Sequence, residues 1–126
     1  MCASQFAVSP ILRLKRSPQS GNYTMTVAWQ TVFSQTQAYA WMFGSGRIDL
    51  TNMILGDHID IRVSSRQVAA GAYIVEDLMD YDDAQPVNKP KISISSIIDT
   101  FGVLVEMRQT AGALIACYCE FFDAVR

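Results

Sequence analysis

The sequence predicts an all-β fold: an antiparallel β-sandwich, jelly-roll-like, with seven to eight strands and an extended N-terminal arm. Apolar and polar residues alternate with a period of two along most of the chain, as they do in half-buried strands. Clusters of Gly, Pro, Asn and Asp separate these segments, and no segment has the longer period of a helix. Short strands between turns are typical of sandwiches and barrels, and 126 residues are enough for one such domain.

Residues 1–22 are predicted to form the arm, and residues 23–126 the single β-sandwich domain. Pro10 and Pro18 argue against regular structure before residue 23, yet the segment FAVSPIL is apolar. Such a peptide suits pairing with an exposed sheet edge of a neighbouring copy. The residues assigned to this self-assembly arm are Phe6, Val8, Ile11, Leu12, Arg13, Lys15 and Arg16.

The segment YTMTVAWQTVF, residues 23–33, is predicted to be one strand, with an apolar face that includes Met25, Val27 and Phe33. The segment AYAWMF follows it, and the glycines of GSG predict a hairpin turn there. Three aromatic residues in AYAWMF share one face, which favours packing in the core over the alternative of a sugar-stacking platform. They are Tyr39, Trp41 and Phe43.

The segment GDHIDIRVSS, residues 56–65, alternates most regularly. Ile59, Ile61 and Val63 lie on one side, and His58 and Asp60 are among the polar residues on the other. AGAYIVEDLMDY is predicted to be the next strand, and DDAQPVNKP to be a loop because of its two prolines. KISIS is again a predicted strand, and SIIDTFG a corner.

VLVEMRQ and LIACYCEFF are predicted to be two strands joined by the turn TAGA. The final strand is apolar on both faces, so it is either central in its sheet or covered by a neighbouring subunit. If a neighbour covers it, the candidate interface residues are Ile115, Cys117, Cys119 and Phe121.

No catalytic pattern is present, so the sequence predicts no enzyme and no cofactor. The one histidine, His58, reads as a surface residue of a strand, and three cysteines without further ligands argue against a zinc site. The acidic loop offers oxygen ligands for calcium at Asp80, Asp82 and Asp83, but it lacks the glycine and the terminal glutamate of an EF-hand loop. Solvated carboxylates are the simpler interpretation, so no metal is predicted.

The charges are unevenly divided. Residues 1–48 contain four bases and no acid, a net charge of +4, whereas the rest contains 12 acids and six bases, a net charge of −6. This asymmetry can steer association between copies or toward a polyanion, but a few solvated charges on an arm are the simpler interpretation. Four bases are too few for a dedicated nucleic-acid patch, so no sequence-specific nucleic-acid binding is predicted, and no apolar run is long enough for a membrane span.

The strand pattern, with GDHIDIRV, then DYDDAQP, and finally GVLVEMRQTAGALIACYCEFF, resembles small single β-sandwich or jelly-roll virion proteins of bacterial and archaeal viruses. This resemblance covers about residues 23 to 123. It implies a structural protein of the virion, a capsid, cement or decoration subunit whose partners are copies of itself or other capsid subunits. The alternative is a carbohydrate- or receptor-binding β-sandwich module.

Overall fold

The computed structural model describes residues 13–125. Every strand pairing in this part of the chain is antiparallel, which confirms the predicted all-β, antiparallel fold. None of its residues belongs to a helix that could cross a membrane. The eight strands are β1 (Arg13–Arg16), β2 (Gly21–Thr24), β3 (Gln30–Asp49), β4 (His58–Arg66), β5 (Ile74–Asp82), β6 (Lys91–Ile94), β7 (Ile97–Ala111) and β8 (Ala116–Val125).

The long strand β3 belongs to two layers. The strand order is β1-β8-β3-β7-β4-β5, with β2 also on β8 and β6 also on β3. The first part of β3, up to Phe43, pairs with β7, whereas the part from Phe43 onward pairs with β8. Residues 30–36 therefore lie in a layer with β7, β4 and β5, residues 43–49 lie in a layer with β8, β1 and β2, and the irregularly paired residues 37–42 connect the two.

The two layers pack against each other around aromatic and sulfur-containing side chains. The ring of Phe33, in the first layer, lies with its centroid 4.9 Å from that of Phe121 in the second layer. The sulfur atoms of Met107 and Cys119 approach to 3.8 Å across the same space. All four side chains are fully buried, so the inner faces of the two layers form one hydrophobic core, as in a sandwich.

The regular alternation of β4 is confirmed by burial. Ile59, Ile61 and Val63 are buried in the core, while His58 and Asp60 are only partly buried on the opposite face. The strand predictions for AGAYIVEDLMDY and KISIS are confirmed as β5 and β6, and DDAQPVNKP forms the loop between them. The TAGA turn also joins two strands as predicted, β7 and β8.

The single strand predicted for residues 23–33 is wrong, because residues 25–29 form a loop between β2 and β3. β2 pairs with β8 in one layer, and Gln30 then pairs with Met107 of β7 in the other. The chain has to leave one sheet layer to enter the other. As a result, Val27 is 68% exposed although the alternation places it on the same face as the buried Met25 and Phe33.

The hairpin predicted at GSG is also wrong, since β3 runs through Gly44 and Gly46 without a turn. A Cβ atom at Gly44 would lie 2.6 Å from the backbone oxygen of Phe122, so this glycine permits a close approach of β3 to β8. The pairing of β3 with β7 shifts register between Thr36 and Phe43, and such irregularities let a strand bend. The corner predicted for SIIDTFG is replaced by strand, because β7 begins at Ile97.

β8 is central in its sheet. It pairs with β3 on one side and with β1 and β2 on the other, and the core covers its inner face, where Cys117, Cys119 and Phe121 are buried. β1 and the first residues of β2 fall within the predicted arm, and they pair with β8 of the same chain. The division at residue 22 stays a prediction, because residues 1–12 lie outside the described part of the chain.

Candidate functional site

The outer face of the first layer carries a continuous set of charged side chains from β4, β5 and β7. The strand register places them there, because side chains of directly opposed residues project to the same side of a sheet. Asp60 of β4 is opposed by Asp80 of β5 on one side and by Arg108 of β7 on the other. Two residues earlier on β4, His58 is opposed by Asp82.

His58 lies between two carboxylates. Its Nδ1 is 2.5 Å from Asp82 Oδ1, and its Nε2 is 2.8 Å from Asp60 Oδ1. The hydrogen bonds with Asp82 and then Asp60 raise the pKa of the imidazole above its ordinary value, because both favour the protonated ring. The side chain is 25% exposed, so solvent still reaches it.

Asp60 is the shared acceptor of this network. Arg108 donates from Nε to Asp60 Oδ2 at 2.8 Å, while His58 lies against Oδ1. Burial by itself raises the pKa of Asp60, but the hydrogen bonds from Arg108 and His58 outweigh burial and hold the pKa below its ordinary value. Asp60 is therefore a carboxylate with both oxygens engaged.

Trp29, from the loop between β2 and β3, covers the arginines of this face. The guanidinium carbons of Arg62 and Arg108 lie 4.2 and 4.4 Å from the centre of its ring, within the range of cation–π contacts. Arg62 also donates from Nε to Glu106 at 3.0 Å. The indole therefore packs on cations of the same chain and is not a free stacking surface.

A groove of about 470 Å³ lies over these residues. One side of it is charged and the other apolar, since β5 contributes exposed aliphatic side chains beside the network. The charged lining consists of Asp60, Arg62, Asp80 and Arg108, and the apolar lining consists of Trp29, Val75, Leu78 and Met79.

Strand β5 forms an edge of the described sheet. It is nine residues long and, among residues 13–125, pairs only with β4. Ile74, Val75 and Leu78 are each more than half exposed on it. Four acids and no base accompany them, namely Glu76, Asp77, Asp80 and Asp82. Exposed apolar residues on an unpaired strand mark a surface suited to another chain.

The residues predicted to form the arm are only partly within the described structure. Phe6, Val8, Ile11 and Leu12 lie outside it. Arg16 donates to Glu120 Oε2 at 2.8 Å and to the Tyr118 hydroxyl, which attaches β1 to β8 of the same chain. Arg47 and Lys91 lie 4.0 and 3.7 Å from the same Glu120 carboxylate.

The candidate interface residues of β8 face inward. Cys117, Cys119 and Phe121 are fully buried in this chain, and Ile115 is partly buried against the core. Burial raises the pKa of the Cys117 thiol to about 11 and that of Cys119 to about 12. The surface that β8 offers to another molecule is therefore made by the alternate residues, Tyr118 and Glu120.

The three predicted calcium ligands do not form one group. Asp82 is engaged by His58, and Asp83 accepts a hydrogen bond from the backbone of Gly56. The structure instead brings Asp80 together with His58 and Asp60, with one ligand atom of each within 4.8 Å of the others. The spacing of His58 and Asp60, two apart on a strand, predicts that they share a face. The β4–β5 register that adds Asp80 to them cannot be predicted from the sequence.

The aromatic platform considered for AYAWMF is not assembled. The core packing predicted for the three rings is confirmed for Phe43, which is fully buried beside Phe33, and Trp41 is partly buried against the core, but the prediction is wrong for Tyr39, which is 63% exposed. The register shifts of β3 around Trp41 disrupt the alternation that would place the three rings on one face. These three residues therefore do not support the carbohydrate-binding alternative.

No family model matches this chain, and no curated protein matches it by sequence. Its fold is similar to solved structures of infectious bursal disease virus. One is the VP2 subviral particle, with a TM-score of 0.54 and 11% identity, matching 90% of this chain and 32% of the neighbour. Another is the Gx strain of the virus, with a TM-score of 0.52 and 9% identity, matching 90% of this chain and 31% of the neighbour.

At such identity the likeness shows the fold alone. The chain spans about a third of the length of these neighbours. They are viral particle proteins with all-β architecture in the matched region, which agrees with the predicted resemblance to virion proteins. The neighbours do not support the narrower prediction of a bacterial or archaeal virus.

Proposed function

We propose that this chain is a non-catalytic structural subunit of a virion that works by associating with copies of itself. The likeness to VP2 of infectious bursal disease virus supports this at the level of the fold. The observation that carries the proposal is the edge strand β5, which exposes aliphatic side chains and pairs on one side only in the described structure. An unpaired edge strand is a template for pairing with another chain, and such pairing can join copies into a symmetric assembly.

The acids of β5 protect the edge in the free subunit, since like charges hinder pairing of two β5 strands with each other. A partner strand must then be apolar and free of acids. The arm of this same chain meets that requirement, because residues 1–22 contain no acid and include the apolar FAVSPIL segment. Phe6 and Val8 are two apart, the spacing that places two side chains on one face of an added strand.

In this mechanism β1 stays on β8 of its own chain, and residues 1–12 extend to β5 of a neighbour. Apolar side chains of the arm cover Val75 and Leu78, and backbone hydrogen bonds complete the edge. The role as capsid, cement or decoration subunit depends on the symmetry that these contacts generate.

The test is the mass of the full chain in solution, measured by light scattering over a concentration series. Three variants accompany it: deletion of residues 1–12, Leu78→Lys on β5, and Ile98→Lys as a control on β7. Leu78 and Ile98 are 64% and 71% exposed, so the two lysine variants are matched in exposure and charge.

A defined oligomer or particle that is lost in the deletion and in Leu78→Lys, but kept in Ile98→Lys, supports the proposal. Circular dichroism confirms that each variant is folded. A full chain that stays monomeric at every concentration contradicts self-association, and an oligomer that survives both changes contradicts the arm and edge mechanism.

A further inference from the structure

His58, Asp60 and Asp80 form a cluster that can act independently of self-association. We propose that these three residues bind a Zn²⁺ ion at the charged side of the groove. Their ligand atoms lie within 4.8 Å of one another, because Asp60 and Asp80 are directly opposed and His58 is two residues away on the same face of β4. A small adjustment, mainly of the exposed Asp80 side chain, places these atoms at the roughly 2.0–2.2 Å from the ion that Zn²⁺ requires.

The histidine is oriented as in zinc sites. Asp82 holds Nδ1 at 2.5 Å, which leaves Nε2 directed at Asp60. A histidine that binds a metal through one nitrogen commonly donates the other N–H to a carboxylate, which fixes the ring and makes it a better ligand. Asp82 is thus a positioning residue, and the metal replaces the proton between Nε2 and Asp60 Oδ1.

Arg108 prepares Asp60 for the same role. Its Nε occupies Asp60 Oδ2, so Oδ1, the oxygen that faces the histidine, is the one that an ion reaches when it replaces the proton on Nε2. The carboxylate is therefore held in place before any metal binds.

Asp80 supplies an independent reason to expect a cation. Among residues 13–125 its carboxylate makes no side-chain hydrogen bond or ion pair, although it lies directly opposite Asp60. Opposed like charges destabilise a sheet, and a cation shared between them removes that repulsion. Both carboxylates line the groove, which leaves space for water or a ligand group at the remaining coordination position.

The donor set selects the metal. One imidazole and two carboxylates suit Zn²⁺, whose sites accept nitrogen and oxygen ligands and need four of them. Ca²⁺ takes six to eight oxygen ligands, more than this group offers.

The experiment is a calorimetric titration of the full chain with ZnCl₂ and, separately, with CaCl₂. All proteins in it carry Cys2→Ser, because Cys2 lies outside the described residues and its thiol could bind zinc; Cys117 and Cys119 are fully buried. The imidazole NMR signals report on the site directly, since the chain contains one histidine.

We expect one Zn²⁺ per chain, a shift of the His58 signals, and binding of Ca²⁺ at least tenfold weaker. Asp80→Asn should abolish or strongly weaken binding, and it should leave the fold intact because Asp80 is exposed. Asp82→Asn should weaken binding by about 10- to 100-fold through the orientation of His58. Asp77→Asn, on the same strand and with the same change of charge, should have no effect.

Zinc binding that is unchanged in Asp80→Asn, or that leaves the His58 signals in place, overturns the proposal. Tighter binding of Ca²⁺ than of Zn²⁺ overturns it as well. These measurements report metal stoichiometry and the His58 signals, whereas the test of the virion role reports mass, so failure of the zinc site can be told from failure of the proposed virion role.

Discussion

Phe33 and Phe43 are ten positions apart on the same strand, yet the centroids of their rings lie 5.1 Å apart. A straight strand would separate these positions by about 33 Å, at about 3.3 Å per residue. β3 must therefore bend sharply between them, and its irregular pairing with β7 after Thr36 is where it does so. This bend carries the chain from one layer to the other and closes the core.

Phe33 contacts the rings of both Phe43 and Phe121, so its removal should destabilise the whole fold. Phe33→Ala is expected to lower the free energy of unfolding by about 3–5 kcal/mol, the range for a large buried side chain. Urea denaturation followed by circular dichroism measures this change. Tyr39→Ala removes a ring that is 63% exposed on the same strand and should cost less than about 1 kcal/mol. Equal losses of stability in the two variants would contradict the placement of Phe33 at the centre of the core.

Gly44 lies where β3 passes closest to β8. Gly44→Ala places a methyl group 2.6 Å from the backbone oxygen of Phe122, which cannot rotate away as a side chain can. The expected loss of stability is about 1–3 kcal/mol from overpacking. Thermal unfolding measures it, and Ser45→Ala, at the next position, serves as the control with little expected effect. A fully stable Gly44→Ala protein would mean that the two strands are further apart.

The stability of the protein should depend on pH through His58. Its folded pKa is raised by Asp82 and Asp60, so the protonated ring stabilises the folded state. This contribution is fully present below the unfolded pKa of about 6.5 and is lost as the pH rises through the folded pKa. Compared with His58→Gln, the protein should gain most from His58 below about pH 6.5. Denaturation at several pH values, with a chelator present, measures the difference.

The charged groups that face His58 are Asp60 and Asp82, with Asp80 and Arg108 beyond them. Asp82→Asn removes the largest cause of the raised pKa of His58. An NMR titration of this variant should therefore give a lower pKa for His58 than a titration of the original protein. An unchanged pKa would show that Asp82 does not hold the ring in solution.

The thiols of Cys117 and Cys119 should be unreactive in the folded protein. Burial raises their pKa values to about 11 and about 12, so almost no thiolate exists at pH 8, and neither side chain is accessible. A colorimetric thiol reagent should therefore label at most Cys2 under native conditions and all three thiols in denaturant. Rapid labelling of two or more thiols in the native protein would contradict the burial of Cys117 and Cys119 in the core.

Glu120 balances three cations on the outer face of β8. The hydrogen bond from Arg16 is the main cause of its lowered pKa, with Arg47 and Lys91 nearby. Glu120→Gln leaves three like charges together and should destabilise the protein by up to about 1 kcal/mol at low salt. The loss should shrink in 0.5 M NaCl because salt screens the repulsion. A loss that is independent of salt would point to packing as the cause.

Much of the strand content was predictable from local pattern. In β4 and β7 one face is buried and the other is not, so apolar and polar residues alternate with a period of two in the sequence. One of the three errors is the corner predicted for SIIDTFG, which is strand, and the other two fall at or just after a change of layer, at residues 25–29 and at Gly44 to Gly46. Alternation continues through both segments, and glycine suits a turn as well as a close approach, so local pattern could not separate the two outcomes.

The candidate site was less predictable. His58 and Asp60 share a face by their spacing, and the acids of β5 were visible as a group. Their meeting depends on the β4–β5 register, and the contact of Asp60 with Arg108 joins residues 48 positions apart. Trp29 reaches the site only because its loop leaves β2 for the other layer.

The sequence by itself determined the class of the fold, the inward faces of β4 and β7, and the loop that follows β5, because hydrophobic alternation and proline act locally. The tertiary structure decided that β3 serves two layers, that β8 is central, and that a histidine, two aspartates and an arginine meet on one outer face. These outcomes depend on which strands pair and in which register, and that choice is made by the packing of the whole core around Phe33, Phe43 and Phe121.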